Sequence, residues 1–219
     1  KDMADRFAVK FGQEMAERLE FRTINGICAR VIQFYSWKTG RMAFQLLTDE
    51  MRISAMLSGI YQQTERVYPT EGDLKNVRTL ITYIKNRMLN EKEIQKLEEE
   101  AEIHLAAIYK EYCRQLREQQ LMDYDDQMIY AINLLKLCKD LLRDFQETYK
   151  YICVDEAQDT SKIQHELINM LAGKYRKLFM VGDEDQSIYG FRAAYPEALI
   201  SFEENYPGAN VLLMEENFR

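Results

Sequence analysis

Glycine and proline are absent from residues 73–172, and this long gap constrains the fold more than any other feature of the sequence. Both residue types interrupt helices, so a stretch without them is typical of helical structure. Within it, apolar residues recur at steps of three and four beneath a charged face: Ile94, Leu97, Ala101, Leu105, Ile108, Tyr112 and Leu116. The spacing predicts one apolar helical stripe, which we interpret as core rather than as a partner-binding groove.

The pattern changes after residue 150, where three short apolar runs each end in acidic residues or glycine. They span residues 151–154, 178–181 and 211–214, and helix-compatible segments separate them at 161–172 and 196–205. Strands and helices in alternation predict a parallel sheet with right-handed crossovers. Runs that are apolar at every position favour strands covered on both faces. The predicted fold class is therefore α/β, a helical body joined to a piece of parallel sheet.

Composition and charge exclude several classes of protein. The chain has 219 residues, 47% of them hydrophobic, which is enough for a sizeable core, and no apolar run is long enough to cross a membrane. Four cysteines without a CxxC pair and two histidines argue against zinc sites and disulfide frameworks, and reduced thiols indicate the cytoplasm. The net charge is +1 over residues 1–120 and −8 over residues 121–219, so any contact with nucleic acid is local rather than a broad basic surface.

Carboxylates cluster where two of the predicted strands end. The first strand is followed by Asp155 and Glu156 and the second by residues 182–189, and ligands of a parallel sheet bind at the edge where such ends meet. Asp155 could hold Mg²⁺, and Glu156 could polarise a water that attacks a phosphoryl group. The alternative is that these residues form solvated turns with helix caps. That alternative holds for Ser161 and Gln164, which match a capping box and are interpreted as structural.

The same residues resemble motifs of the UvrD/Rep/PcrA-type superfamily 1 DNA helicases. Residues 154–160 (VDEAQDT) resemble the Walker B motif, motif II; residues 181–192 (VGDEDQSIYGFR) resemble motif III, and residues 216–219 (ENFR) resemble the start of motif IV. Upstream, residues 23–28 (TINGIC) stand where the family has a Thr-Phe-His-Ser motif, and residues 122–126 (MDYDD) resemble its Leu-Asp-Phe-Asp-Asp segment. Two long motifs in the right order at the right spacing make the resemblance specific.

This resemblance implies a partial RecA-like parallel sheet, from a P-loop NTPase motor domain, with a largely helical inserted subdomain. Residues 1–33 and 120–219 would form part of the first motor domain, and residues 34–119 would form the insertion. The sequence lacks a G-x-x-x-x-G-K-[ST] phosphate loop and a second RecA-like motor domain. We therefore interpret the chain as an internal fragment of a larger helicase, one that does not hydrolyse ATP by itself.

The resemblance also implies roles for individual residues. Asp155 would hold Mg²⁺ and Glu156 would activate the attacking water. Gln186 would sense the γ-phosphate of ATP, and Arg219 would reach it in the manner of an arginine finger. Single-stranded DNA would be contacted by Tyr189, Phe191, Arg192, Thr23 and Asn25. Without the resemblance, Phe191 would be interpreted as core and Arg219 as a surface charge.

The implied function is ATP-dependent 3′→5′ translocation on single-stranded DNA and unwinding at duplex junctions, with Mg²⁺ as the metal. Two alternatives stay open. The motor could belong to a helicase–nuclease repair enzyme, which residues beyond 219 would decide. The chain could instead be a degenerate, non-catalytic protein whose helical body binds a partner. A phosphate loop encoded upstream of Lys1 would favour the helicase, and a start codon there would favour the degenerate protein.

Overall fold

The computed structural model describes residues 2–183 and 202–212, and this part of the chain is mostly helical. In chain order its elements are α1 (Asp2–Phe11), α2 (Gln13–Glu17), α3 (Ile24–Thr39), β1 (Gln45–Leu46), α4 (Glu50–Glu65), α5 (Glu71–Arg87), α6 (Glu91–Ala101), α7 (Leu105–Glu118), β2 (Leu121–Met122), α8 (Tyr124–Leu137), α9 (Lys139–Thr148), β3 (Ile152–Val154), α10 (Lys162–Ala172) and β4 (Leu178–Met180). A 3₁₀ turn (Ala157–Asp159) follows β3, and a short helix covers Phe202–Asn205. None of the described helices has the length and apolar character needed to cross a membrane.

Polar side chains cap the first turns of several of the described helices. The side chain of Asp49 caps α4 by accepting hydrogen bonds from the backbone N–H groups of Met51 and Arg52, at 2.9 and 3.2 Å. Capping boxes begin α5, α6 and α8, formed by the pairs Thr70–Asp73, Asn90–Glu93 and Asp123–Asp126. A cap of this kind contributes about 1 kcal/mol. The start of each of these helices is therefore encoded locally in the sequence.

The predicted apolar stripe lies on two helices rather than one. Helix α6 ends where Glu102 adopts left-handed backbone geometry, with φ of 53°, and α7 begins at Leu105. The two helices pack against each other and share buried residues of the stripe: Ile94, Leu105, Ile108, Tyr112 and Leu116. The interpretation of the stripe as core is confirmed. The expectation of one continuous stripe is wrong, because the chain turns after Ala101 without glycine or proline.

Among the described residues, buried apolar side chains form two main cores. The first lies within helices α4, α5 and α7, with a small extension under α6; we call α4–α7 the helical body. The second lies among α3, α8, α9 and α10 and is called the α8 core; its fully buried members include Cys28, Val31, Ala131 and Leu135. Helix α5 contacts both α8 and α10, so it joins the helical body to the α8 core.

The described strands form two parallel pairs. Strand β1 pairs with β2, with Gln45 opposite Leu121. Strand β3 pairs with β4, with Ile152 opposite Leu178 and Val154 opposite Met180. Helix α10 connects β3 to β4 along the chain, as the strand–helix–strand pattern predicts. The α/β fold class with parallel strands is confirmed.

Two expectations about the strands are wrong. Cys153 and Phe179 pair across the β3–β4 register and are exposed, so the described elements cover only one face of this short sheet. Successive side chains of a strand point to opposite faces, and the second face has no described neighbour. Val211 and Leu212 lie outside any strand and are exposed, since no described strand lies beside them. The rest of that apolar run lies outside the described residues.

Candidate active site

The ends of β3 and β4 meet at one edge of the sheet. Beyond the paired residues the ladder continues, because the N–H of Val181 donates to the carbonyl of Val154 at 2.9 Å and the N–H of Ala157 donates to the carbonyl of Val181 at 2.9 Å. Asp155 and Glu156 therefore lie beside the segment that leaves β4. The sequence predicted that the two strand ends share one rim, and the described part of that rim has this arrangement.

Glu156 occupies an uncommon backbone conformation. Its φ and ψ are 49° and 46°, in the left-handed region that few residues other than glycine adopt. The Asp155 carboxylate accepts a hydrogen bond from the Glu156 N–H at 3.1 Å, which supports the turn. Both side chains are exposed. A strained residue of this kind costs about 1–3 kcal/mol and persists where surrounding contacts hold it, often at functional sites.

The side chain that holds Glu156 is Gln158, to which the sequence analysis gave no role. Its carboxamide is buried, with 2% of the residue exposed. The Nε2 group donates to Oε2 of Glu156 at 2.7 Å, and Oε1 accepts from the backbone N–H of Asp183 at 3.0 Å. The only signal in the sequence is a carboxamide within a run of carboxylates, a group that can donate and accept at once.

Thr160 and His165 connect the 3₁₀ turn after β3 to α10 through hydrogen bonds. The Thr160 hydroxyl donates to the carbonyl of Ala157 at 2.6 Å and also lies 2.6 Å from Nε2 of His165. Since the single hydroxyl proton goes to the carbonyl, we assign a proton to Nε2, which then donates to Thr160. Burial lowers the pKa of His165 to about 4, so its ring is neutral near neutral pH. Of the predicted capping box, Gln164 accepts from the Ser161 N–H at 3.0 Å.

The donors around Asp155 bear on its predicted magnesium role. The described residues contain no group of three or more His, Cys, Asp or Glu side chains arranged for a metal. Protein-bound Mg²⁺ usually takes one or two carboxylates and completes its shell with waters and substrate phosphates. Asp155, an exposed carboxylate at the strand end, fits that mode of binding, and it would not fit a closed structural metal site.

The upstream residues predicted to contact DNA lie at the start of α3. The Thr23 hydroxyl oxygen accepts from the Gly26 N–H at 3.1 Å and caps the helix. This explains a threonine here on structural grounds, and it leaves the hydroxyl proton available to another acceptor. Thr23 is exposed and Asn25 is half-buried. The other predicted site residues lie outside the described residues: Gln186, Tyr189, Phe191, Arg192 and Arg219.

The acidic segment at residues 123–126 forms a buried joint with α5. Lys85, from α5, has a fully buried side chain whose Nζ lies 2.7 Å from Oδ2 of Asp123 and 2.7 Å from Oδ1 of Asp126. Next to it, Asn86 donates to Asp125 at 2.7 Å. Lys85 gives no signal in the sequence, because a lysine in a helix is ordinarily solvated.

The attraction between Lys85 and the neighbouring carboxylates keeps Lys85 and Asp123 charged, although Lys85 is fully buried and Asp123 largely buried. Burial acts to lower the pKa of Lys85, but the attraction of Asp123 and Asp126 outweighs it and the pKa is raised. Burial also acts against ionised Asp123, yet the neighbouring ammonium holds the pKa of that carboxyl below its ordinary range. For Asp126 and Asp125 burial prevails, and their pKa values are raised. One buried cation therefore compensates a crowded set of carboxyl groups.

Comparison with known proteins places this chain in a family. The model of the UvrD/REP helicase N-terminal domain matches residues 1–207. The ATP-dependent DNA helicase PcrA of Staphylococcus epidermidis is 32% identical over 222 residues, covering 100% of this chain and 30% of the relative. PcrA of Staphylococcus aureus is 30% identical over 231 residues, covering 99% of this chain and 31% of the relative. This chain therefore spans about 30% of the length of these relatives, and it belongs to the UvrD/REP helicase N-terminal domain family.

Proposed function

We propose that this chain is part of the motor of a 3′→5′ ATP-dependent DNA helicase. The observation that carries the proposal is the shared edge of β3 and β4, where Asp155 and Glu156 lie beside the segment that begins at Asp183. Membership of the family supports it, as does the name that both relatives bear, ATP-dependent DNA helicase.

On the nucleotide side, Asp155 and Glu156 would have separate tasks. Asp155 would hold Mg²⁺, directly or through water, and bound Mg²⁺ neutralises charge on the phosphates of ATP. Glu156 would orient the attacking water and accept its proton. Gln186 would contact the γ-phosphate from the segment that follows β4, and Arg219 would reach the same phosphate from the end of the chain.

On the DNA side, stacking and hydrogen bonding would come from two segments. Tyr189, Phe191 and Arg192 would lie against single-stranded DNA, because an aromatic ring stacks on any base and so tolerates any sequence. Thr23 would donate its hydroxyl proton to a phosphate while still capping α3. Asn25, in the first turn of that helix, would contact the same strand. The substrates would be single-stranded DNA and duplex junctions.

The two cores support a division of the chain into a motor part and an insertion. Residues 1–33 and 120–219 would form part of the first RecA-like motor domain, and residues 34–119 would form the helical insertion. The α8 core draws its fully buried residues from the first set, and the helical body lies in the second. The Lys85 joint would hold the two together.

Turnover of ATP would need residues beyond this sequence. No G-x-x-x-x-G-K-[ST] loop occurs among the 219 residues, and such a loop cradles the phosphates with its backbone N–H groups and lysine. The chain spans about 30% of its relatives. We infer that the phosphate loop and a second RecA-like motor domain lie elsewhere in a longer protein, working in the cytoplasm, where the four free cysteines stay reduced.

The test is Glu156→Gln in the full-length protein that contains this sequence. The amide keeps the shape of the side chain but cannot accept the proton of water, so we expect turnover of ATP to fall about 10²–10⁴-fold while ATP binding is retained. The matched control is Glu166→Gln on α10, whose carboxylate pairs with Lys136 at 2.9 Å and should leave turnover unchanged. Wild-type turnover in Glu156→Gln would contradict the assigned role. A wild-type protein without DNA-stimulated ATP hydrolysis would contradict the proposed function itself.

A further inference from the structure

We propose that Gln158 is the positioning residue for Glu156, and that it ties the orientation of this carboxylate to the end of β4. The inference rests on the proposed function, since it concerns how Glu156 is made ready to act on water. Gln158 itself touches neither water nor nucleotide in this scheme. It acts through the side chain that it holds.

The carboxamide of Gln158 makes one hydrogen bond to each of two segments, as a donor to the turn after β3 and as an acceptor from the segment after β4. Nε2 donates to Oε2 of Glu156 at 2.7 Å, and Oε1 accepts from the N–H of Asp183 at 3.0 Å. With 2% of the residue exposed, neither group can exchange its partner for bulk water at low cost. A carboxylate at this position lacks the donor, and an apolar side chain lacks both groups.

The first of these bonds selects one orientation of Glu156. The Glu156 side chain is exposed, and without a partner it would sample several rotamers. A hydrogen bond from an amide to an ionised carboxylate is stronger than one between neutral groups. Because this bond occupies Oε2, it leaves Oε1 to accept from a water. General-base catalysis depends on that geometry, and a displacement of about 1 Å can cost roughly 10²-fold in rate.

The second bond connects Glu156 to the other strand. Asp183 lies three residues after Met180, where β4 ends, and Gln186 follows three residues later in the sequence. Any displacement of the backbone at Asp183 is transmitted through Gln158 to the carboxylate of Glu156. Through the two hydrogen bonds of Gln158, the orientation of the Glu156 carboxylate therefore depends on the segment that is predicted to contact both the γ-phosphate and DNA.

The experiment uses Gln158→Met and Gln158→Glu in the full-length protein. Methionine keeps the length of the side chain and removes both hydrogen bonds. Glutamate keeps an acceptor for the Asp183 N–H and, when ionised, replaces the donor to Glu156 with a second carboxylate that repels it. For both we expect kcat for ATP to fall about 10–100-fold, part of the contribution of a general base, while KM and the affinity for a non-hydrolysable ATP analogue stay close to wild type. The control Gln164→Met, which removes the hydrogen bond to Ser161, should retain kcat.

A second arm tests whether Gln158 acts only through Glu156. In the Glu156→Gln background the base is already lost, so adding Gln158→Met should reduce the residual kcat no further. The proposal would be overturned if Gln158→Met lowered kcat by the same factor in the Glu156→Gln background as in the wild type. It would also be overturned if Gln158→Glu had the kcat of the wild type. Thermal melting shows whether each variant is folded. If the melting temperature of Gln158→Met is much lower than that of the wild type, the kcat of Gln158→Glu is the deciding measurement. Equal turnover by wild type and Glu156→Gln would instead show that the role assigned to Glu156 is wrong, and a wild type without DNA-stimulated ATP hydrolysis would show that the proposed function has failed.

Discussion

Replacing Lys85 with methionine tests the joint between the helical body and the α8 core. Methionine has a similar length and no charge, so the substitution removes the ammonium and leaves the buried space filled. The side chain of Lys85 is fully buried, whereas those of Asp123 and Asp126 are 15% and 25% exposed. The variant would therefore leave two largely buried carboxyl groups without their cation.

The size of the effect follows from these contacts. Removing one partner of a buried ion pair costs about 3–5 kcal/mol, mainly because the remaining charge stays buried and uncompensated. Here Nζ lies 2.7 Å from an oxygen of each carboxylate. Asp126 limits the loss, because its pKa is already raised and it can take up a proton. We expect a loss of about 3 kcal/mol near neutral pH, a large part of the roughly 5–15 kcal/mol that stabilises a typical domain.

The pH dependence has a defined sign. In the wild type the folded pKa of Asp123 lies below its ordinary value, so its stabilising contribution is present at neutral pH and is lost as the pH falls through that lowered pKa. Without Lys85 the pKa of Asp123 in the folded state rises. Protonation of this carboxyl group in mild acid then removes its repulsion with Asp126. The difference in stability between wild type and Lys85→Met should therefore shrink as the pH is lowered from neutral.

Urea denaturation of the purified chain, followed by circular dichroism, measures the free energy of unfolding. The matched control is Lys96→Met, because Lys96 is 79% exposed and lies 4.0 Å from Glu100; its effect should stay within about 0.5 kcal/mol. Adding Asp123→Asn and Asp126→Asn to Lys85→Met should recover most of the loss, since asparagine still caps a helix. A loss below about 1 kcal/mol for Lys85→Met, or no recovery in the triple variant, would refute the reasoning.

The remaining predictions concern the turn, the nucleotide and DNA. His165 has a folded pKa lowered to about 4, so wild-type stability should fall as the pH drops from about 6.5 to 4, and His165→Gln should show a shallower fall in urea titrations across that range. The isolated 219-residue chain should not hydrolyse ATP above a blank, with or without DNA, and robust Mg²⁺-dependent turnover by it would contradict the inference that the phosphate loop lies elsewhere. Phe191→Ala in the full-length protein should weaken single-stranded DNA binding about 5–150-fold while sparing DNA-independent ATP hydrolysis, because stacking contributes about 1–3 kcal/mol per base. A sharp fall in melting temperature with normal DNA affinity of the folded fraction would identify Phe191 as core instead.

The sequence was sufficient for those features that depend on local chemistry. The transition from an apolar run to Asp155 and Glu156 predicts where a strand ends, and parallel pairing then predicts that this end meets the end of the next strand. Ser161 and Gln164 lie three positions apart, and this spacing alone identifies them as a helix cap, in which Gln164 accepts from the Ser161 N–H. The absence of glycine and proline predicts helix over a long stretch.

Other features could not be predicted, because they depend on how separate segments pack. Lys85 lies 38 positions from Asp123, and nothing near it in the sequence distinguishes it from a solvated lysine. The turn at Glu102 uses left-handed backbone geometry that glycine would have signalled and glutamate does not. Phe179 is apolar yet 60% exposed, since an apolar run does not reveal which faces of a sheet are covered.

Lys85 and Gln158 have a physical property in common that apolar packing lacks. Burial of apolar surface is non-directional, so the two cores by themselves would tolerate small shifts of one helix or strand against another. A buried polar group is costly unless its partners are in place, and it therefore selects one arrangement of the segments that it joins. Lys85 selects the placement of α5 on α8, and Gln158 selects the placement of Glu156 relative to Asp183. Because a general base loses much of its effect when it is misplaced by about 1 Å, directional links of this kind, more than the size of either core, would set how well the site works.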